Sequence, residues 1–358
     1  MKKKLLIVIS NMFGGGGQRV ISRLAYALSA DNEIMIMTTP SEKTYSLPPQ
    51  VKMVYFKDPA DAYNGKGGRL GSLIFRLRGT HGYFRQLSAV KRSFKPDATL
   101  SFFDHPNIRN ALSWGPGRKV MSERNNPLAK GRWYYAYELV SFTFARKVIF
   151  QTETVRKMFP ACIRWKGVVI PNPVSVSCMA TGGSQRIVTV GRRHPQKRHD
   201  LLIQAFSRFS ETHPNHTLHI YGKTDKNSPD LLPLVERLSL SGKVFFEGFR
   251  DDIFEAIADA EQFVLSSDFE GTPNVLLEAM MMGLPCISTA FAGAKEFFGE
   301  NVPCLTVPLG DIDALASAMA RFADDDNLRN DFSRKGMNFA DDFSLEKVIP
   351  KWYDALFE

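Results

Sequence analysis

The opening of the chain narrows the fold more than any other stretch. Leu5-Leu6-Ile7-Val8-Ile9 is a short continuous apolar run, followed by the glycine cluster Gly14-Gly15-Gly16-Gly17. Val20, Ile21, Leu24, Ala25 and Leu28 then recur at helical spacing, and Glu33–Thr38 reads as a second strand. A short run that is apolar throughout suits a strand covered on both faces, whereas the wider recurrence suits an amphipathic helix. Strand, glycine loop, helix, strand is the first unit of a doubly wound parallel sheet.

The alternation continues with strands expected at 98–103, 119–121 and 148–151, then restarts after Pro171-Asn172-Pro173. The small, polar stretch 177–185 reads as a linker. Strands follow at 186–190, 216–221, 244–246, 262–265, 286–289 and 304–307, with helical patterns between them. A chain of 358 residues exceeds one typical core, since domains average about 100–200 residues. The expectation is an N-terminal Rossmann-like domain at 1–170, a second at 171–344, and a terminal helix at 345–358 packing back on the first. Two such sheets would face a central cleft at the carboxyl ends of their strands.

Charge divides the chain the same way. Residues 1–170 carry 28 lysines and arginines against 10 acids, a net +18, while 171–358 carry 18 against 27, a net −9. The basic half expects anionic partners: phosphate groups, nucleic acid or an acidic membrane surface. With 44% hydrophobic and 23% charged residues the composition is that of a globular protein. The apolar run after Met1-Lys2-Lys3-Lys4 stops at Ser10, short of an export signal of roughly 7–15 apolar residues. No window reaches about 18 consecutive apolar residues, so the expected location is cytoplasmic. Cys162, Cys178, Cys286 and Cys304 are scattered, with no C-x-x-C pair, so neither a metal site nor a disulfide framework is expected.

The most informative local segment is Asp268-Phe269-Glu270-Gly271-Thr272-Pro273-Asn274-Val275-Leu276-Leu277-Glu278. It follows a strand and opens a helix near Asn274. Pro273 suits a helix start, because it fixes φ and lacks an amide hydrogen that would go unpaired there. A helix N-terminus offers free N–H groups and partial positive charge to a hydroxyl or phosphate. Glu270 before the helix and Glu278 a turn inside it are two carboxylates suited to gripping two sets of vicinal hydroxyls. By themselves, two glutamates eight apart are ordinarily solvated surface charges. Gly191-Arg192-Arg193-His194-Pro195-Gln196-Lys197 is a second candidate, a glycine-led cationic turn after a strand.

Taken together these segments resemble retaining family-4 glycosyltransferases with the GT-B fold. The resemblance rests on the Glu-x7-Glu pair Glu270/Glu278, on Gly191, Arg192 and Lys197, on Pro171-Asn172-Pro173, and on Phe246-Glu247-Gly248-Phe249. It implies that Glu270 bonds a donor-sugar hydroxyl, Glu278 the ribose, and Arg192 and Lys197 the diphosphate. Preorganised cations act where charge develops as the glycosidic bond breaks, and losing one such group costs about 100–1,000-fold in rate. The donor would also contact Gly15, Gly16, Gly191, Phe249, Gly271, Thr272, Pro273 and Asn274. No metal and no cofactor are expected, a UDP-sugar being a co-substrate. The family often has a histidine where Ser122-Glu123-Arg124-Asn125-Asn126-Pro127 stands, so Arg124 departs from the pattern. Similar segments occur in subfamilies that build bacterial surface polysaccharides (lipopolysaccharide, capsule) and lipid-linked oligosaccharides. Arg124 and His105 are the acceptor-side candidates. Transfer would retain the anomeric configuration and give an α-linkage.

From 62 to 96 there is no acidic residue, but Lys66, Arg69, Arg76, Arg78, Arg85, Lys91, Arg92 and Lys95 interleave with apolar residues. This basic amphipathic pattern predicts peripheral binding to an anionic inner leaflet and a lipid-pyrophosphate acceptor, unless its apolar side packs on the first sheet. Two other classes fit less well. A nicotinamide-dependent oxidoreductase needs a cleaner glycine fingerprint than one with Arg19 in the third position, and an acid ending the second strand. A nucleic-acid-binding protein leaves Glu270, Glu278, Arg192 and Lys197 unexplained, so no nucleic acid is expected as a partner.

Overall fold

The structure, a computed structural model, describes residues 2–12, 15–40, 45–57, 82–124, 132–224, 228–300 and 302–358. The chain forms two compact units, Met1–Pro173 with Leu345–Glu358, and Val174–Ser344. Pro171-Asn172-Pro173 therefore stays with the first unit, three residues beyond the boundary read from the sequence.

In the first unit, β1 (Lys4–Val8), β2 (Glu33–Thr38), β3 (Lys52–Tyr55), β4 (Ala98–Phe102), β5 (Arg118–Ser122), β6 (Lys147–Phe150) and β7 (Gly167–Val169) form one sheet in the order β3-β2-β1-β4-β5-β6-β7. In the second, β8 (Arg186–Val190), β9 (Thr217–Tyr221), β10 (Val244–Gly248), β11 (Gln262–Leu265), β12 (Cys286–Thr289) and β13 (Leu305–Val307) run β10-β9-β8-β11-β12-β13. Among the described residues every strand pairing is parallel. Each order reverses once, at β1/β4 and at β8/β11, and such switch points are where open α/β sheets bind ligands. These are the two doubly wound sheets expected. β3 and β7 escaped the sequence reading because they are short outer strands with incompletely buried side chains, which leaves little apolar pattern.

Helix Leu345–Phe357 belongs to the core of the first unit. Trp352 is fully buried among Leu5, Ile7, Leu100 and Ile149, and its ring lies parallel to Phe102 at 5.9 Å. The helix is thus tied to β4 across some 250 residues of sequence, which no local pattern encodes.

The structure corrects one reading of the basic stretch. Its residues 62–81 lie outside the described ones. The remainder is helical over 82–94, and Leu87 and Phe94 pack against Leu6, Val8 and Met37 of the sheet. Lys91 is buried and donates from Nζ to Asn110 Oδ1 at 2.8 Å. Burial, with Lys119 nearby, pushes its pKa down to about 7. In this part, therefore, the apolar side faces the sheet rather than a membrane, and only Arg85, Arg92 and Lys95 present charge outward.

Candidate functional site

Glycine contacts shape the site in the second unit. Beyond β8, Gly191 donates to Tyr221 O at 2.8 Å, and beyond β9, Gly222 donates to Gly248 O at 2.7 Å. Gly222 has φ +144°, and a Cβ there would stand 1.8 Å from Gly191 O. Only glycine allows the two strand ends this approach. The Lys197 side chain passes over Gly191, with its Cε 3.1 Å from where a Cβ would be.

Lys197 ends a single 3-10 turn, Pro195–Lys197, capped by His194, whose Nδ1 accepts from Gln196 N at 3.2 Å. Arg198 takes the left-handed conformation, φ 47°, and redirects the chain into helix His199–Thr212. The loop after β11 is stitched to this turn at several points. Ser266 Oγ donates to Lys197 O at 2.7 Å, Asp268 N to Gln196 O at 2.9 Å, and Gln196 Nε2 to Phe269 O at 2.6 Å. Arg198 Nη1 reaches Asp268 Oδ1 at 3.2 Å. Within this frame Lys197 Nζ and Glu270 Oε1 form an ion pair at 2.7 Å, with side chains 17% and 10% exposed. Two residues assigned separately to diphosphate and sugar are each other's partners here.

Helix Asn274–Met282 starts at Pro273 without a side-chain cap and ends at the left-handed Gly283. Asn274 N is taken by Thr272 O and Leu276 N by Pro273 O, so not every first-turn amide awaits a ligand. Glu278, on the fifth residue of this helix, is 3% exposed. Gly271 is exposed and Thr272 half-buried. A third loop lies alongside: Ala292 N donates to Asp268 O at 3.0 Å, and Gly293, φ +99°, turns beside Glu270 O. A lysine, a carboxylate and the start of a helix thus meet at the carboxyl ends of β8 and β11.

Further cations gather near the turn. Arg192 is exposed, and no described carboxylate pairs with it. Arg193 lies over the Phe246 ring and Lys223 over the Phe249 ring, each at 4.4 Å. Buried among them, His199 is pushed down to about 4, first by burial and then by Lys197 and Arg193, which keeps its ring neutral. Gly222, Gln196 and His199 were missed in the sequence, although a glycine directly after a strand was a signal for the first of them.

The first unit holds the other candidates. Gly14 lies outside the described residues. Gly15 is the extended N-cap of helix Gly16–Leu28, which has neither a side-chain cap nor an acid in its first turn. Gly17 has a packing reason, since a Cβ there would stand 2.4 Å from the Phe103 ring. His105 is exposed, with its ring edge-on to that of Tyr137 at 6.3 Å between centroids. Arg124, expected to face an acceptor, is buried instead. Its guanidinium lies 4.9 Å from both the Phe102 and Trp352 rings, and Nη1 donates to Asn172 Oδ1 at 2.7 Å. Nε and Nη2 find no acceptor among the described residues, and burial pushes its pKa down to about 9. The aromatic faces and the Glu123 carboxylate beside it supply attraction that partly offsets this burial. Asn125, Asn126 and Pro127 lie outside the described residues. Among the described residues no three His, Cys, Asp or Glu side chains converge as a metal site does.

Comparison with known proteins meets the same region. Residues 184–325, which hold the Lys197/Glu270 turn and Glu278, match the family of glycosyl transferases group 1. An uncharacterized glycosyltransferase of Methanocaldococcus jannaschii is 25% identical over 74% of this chain and 80% of its own. A Campylobacter jejuni protein is 22% identical over 99% of this chain and 98% of its own. It is named as a GalNAc-alpha-(1->4)-GalNAc-alpha-(1->3)-diNAcBac-PP-undecaprenol alpha-1,4-N-acetyl-D-galactosaminyltransferase. The structure of Anabaena HepE in complex with UDP and glucose superposes with a TM-score of 0.78 at 16% identity, over 99% of each chain.

Proposed function

For this chain, a family-4-like glycosyltransferase with the GT-B fold, we propose transfer of a hexose or N-acetylhexosamine from a UDP-sugar to a growing bacterial glycan carried on a polyprenyl pyrophosphate. The observation that carries the reading is the Lys197–Glu270 pair, stitched to the start of helix Asn274–Met282 at the switch point of the second sheet. The C. jejuni relative, with its undecaprenol-linked acceptor, supports the acceptor class, and HepE, solved with UDP and glucose, supports the donor class.

In this reading Glu270 accepts hydrogen bonds from donor-sugar hydroxyls and holds Lys197 extended over Gly191. Lys197 and Arg192 meet the diphosphate, the lysine as a movable point charge and the arginine as a two-pronged donor. Glu278 takes the ribose hydroxyls. As the bond from the anomeric carbon to the phosphate oxygen breaks, charge grows on the diphosphate beside these cations. The acceptor oxygen attacks from the same face, and its proton passes to the leaving phosphate. The product keeps the donor's configuration, an α-linkage from an α-donor.

Thermal unfolding with UDP, GDP, ADP and NAD, on the wild type and on Glu278→Ala, tests the donor site. UDP at about 100 times its dissociation constant should add roughly 2.7 kcal/mol of stability to the wild type and little to the variant. A shift by none of the four nucleotides would overturn the reading. An inverted product by NMR would remove the same-face mechanism alone.

A further inference from the structure

The amino ends of β4 to β7 carry a feature that glycosyl transfer leaves unused. In a parallel sheet all amino ends share one edge, opposite the carboxyl ends where ligands bind. On this edge Trp114, Phe144 and Trp165, in the loops before β5, β6 and β7, are 77%, 53% and 91% exposed. Large apolar groups so open to solvent mark interaction sites when they cluster. The loops are neighbours by hydrogen bonding. Arg118 N donates to Asp97 O at 2.9 Å, Arg146 N to Lys119 O at 2.8 Å, and Val148 N to Lys166 O at 3.0 Å. Lys166 Nζ also bonds Thr143 O and Ala145 O, at 2.9 and 3.0 Å, which fixes the Trp165 loop to the Phe144 loop.

Cations alternate with these aromatics. Arg118, Arg146 and Arg164 are exposed within the same three loops, and the only acid at the four strand starts is Asp97. A second copy of the chain would bring like charges together, so self-association is disfavoured. Tryptophan with arginine is the pairing that suits a bilayer interface. The ring settles at headgroup level while the cation meets anionic lipid.

We propose that this edge docks on an anionic bilayer through Trp114, Phe144 and Trp165 and the arginines beside them. The proposal rests on the lipid-linked reading above and deepens it. It moves the membrane contact from the stretch 62–96 to a surface assembled from three loops. The carboxyl ends of β1 to β7 then point away from the bilayer.

The test is flotation of the full chain with phosphatidylcholine vesicles, with and without phosphatidylglycerol. Wild type is compared with the triple variant Trp114→Ser/Phe144→Ser/Trp165→Ser and with Arg118→Glu/Arg146→Glu, and UDP-induced stabilisation reports on the fold of each. The expected result is binding only to anionic vesicles, weakened on the order of tenfold or more in each variant, with the UDP response kept. If the wild type floats and both variants float equally, another surface docks and this proposal falls while the membrane reading stands. If the wild type does not float, the membrane reading falls with it. If a single-stranded oligonucleotide binds the edge in preference to the vesicles, the surface serves nucleic acid and the proposal is overturned. A variant that loses its UDP response is replaced by its single substitutions, judged by the same criteria.

Discussion

Gly222→Ala puts the architecture of the site to a direct test. The new Cβ would lie 1.8 Å from Gly191 O and 2.5 Å from Gly191 C, at φ +144°. Relieving the oxygen contact to 3.0 Å takes a displacement of about 1.2 Å between the ends of β8 and β9. The backbone conformation adds about 1–3 kcal/mol of strain and the overpacking a similar amount, together about 2–6 kcal/mol. For a unit of this size that lowers its melting temperature by roughly 5–20 °C. The carbonyl that must move belongs to Gly191, the residue Lys197 passes over, and a misplacement of about 1 Å costs around 100-fold in catalysis. Differential scanning calorimetry with kcat/KM on a UDP-sugar reads both effects. Gly182→Ala is the control, since Gly182 has φ +61° but nothing within 4 Å of a Cβ. Only the conformational part, about 1–2 kcal/mol, should appear there. If Gly222→Ala melts and turns over like the wild type, the backbone contact and the positioning argument built on it are both wrong.

Other expectations follow from the same geometry. Glu270→Gln frees Lys197 from its partner, so UDP should bind at least as tightly by calorimetry while transfer falls about 100-fold or more; loss of UDP binding would show that the pair holds the turn rather than the sugar. Lys91, with its pKa pushed down to about 7, gives up its proton in the folded state as pH rises from 7 to 8.5 but keeps it when unfolded. The unfolded state then binds more protons, so stability of the first unit should rise with pH by up to about 1.4 kcal/mol per unit. Urea titrations at several pH values should show that slope flattened in Lys91→Met. Trp352→Ala, which removes a fully buried ring from the first core, should cost about 3–5 kcal/mol of that unit's stability. An unchanged melt would mean that helix Leu345–Phe357 does not hold the core.

Local sequence determined a great deal here. Leu5 to Ile9, the glycine cluster and the helical recurrence after it declare one doubly wound sheet, and the restart at Arg186 declares another. A strand buried on both faces and a helix buried on one have periods that can be read from neighbouring residues. Glu270, Pro273 and Glu278 could be placed about a helix start for the same reason. What tertiary structure decided is which distant residues meet. Lys197 and Glu270 pair across 73 positions, and their union depends on two loops being stitched at the ends of adjacent strands. Gly222 is needed only because Gly191 O occupies the space its Cβ would fill. Lys91, one cation of many in a basic stretch, turns inward because Asn110 waits beneath it, while Arg124 is enclosed by Phe102 and by Trp352 from the far end of the chain. Trp114, Phe144 and Trp165 come to one edge because parallel strands start together. Burial and cross-strand contact are set by the sheet's order, and no window of sequence contains that order.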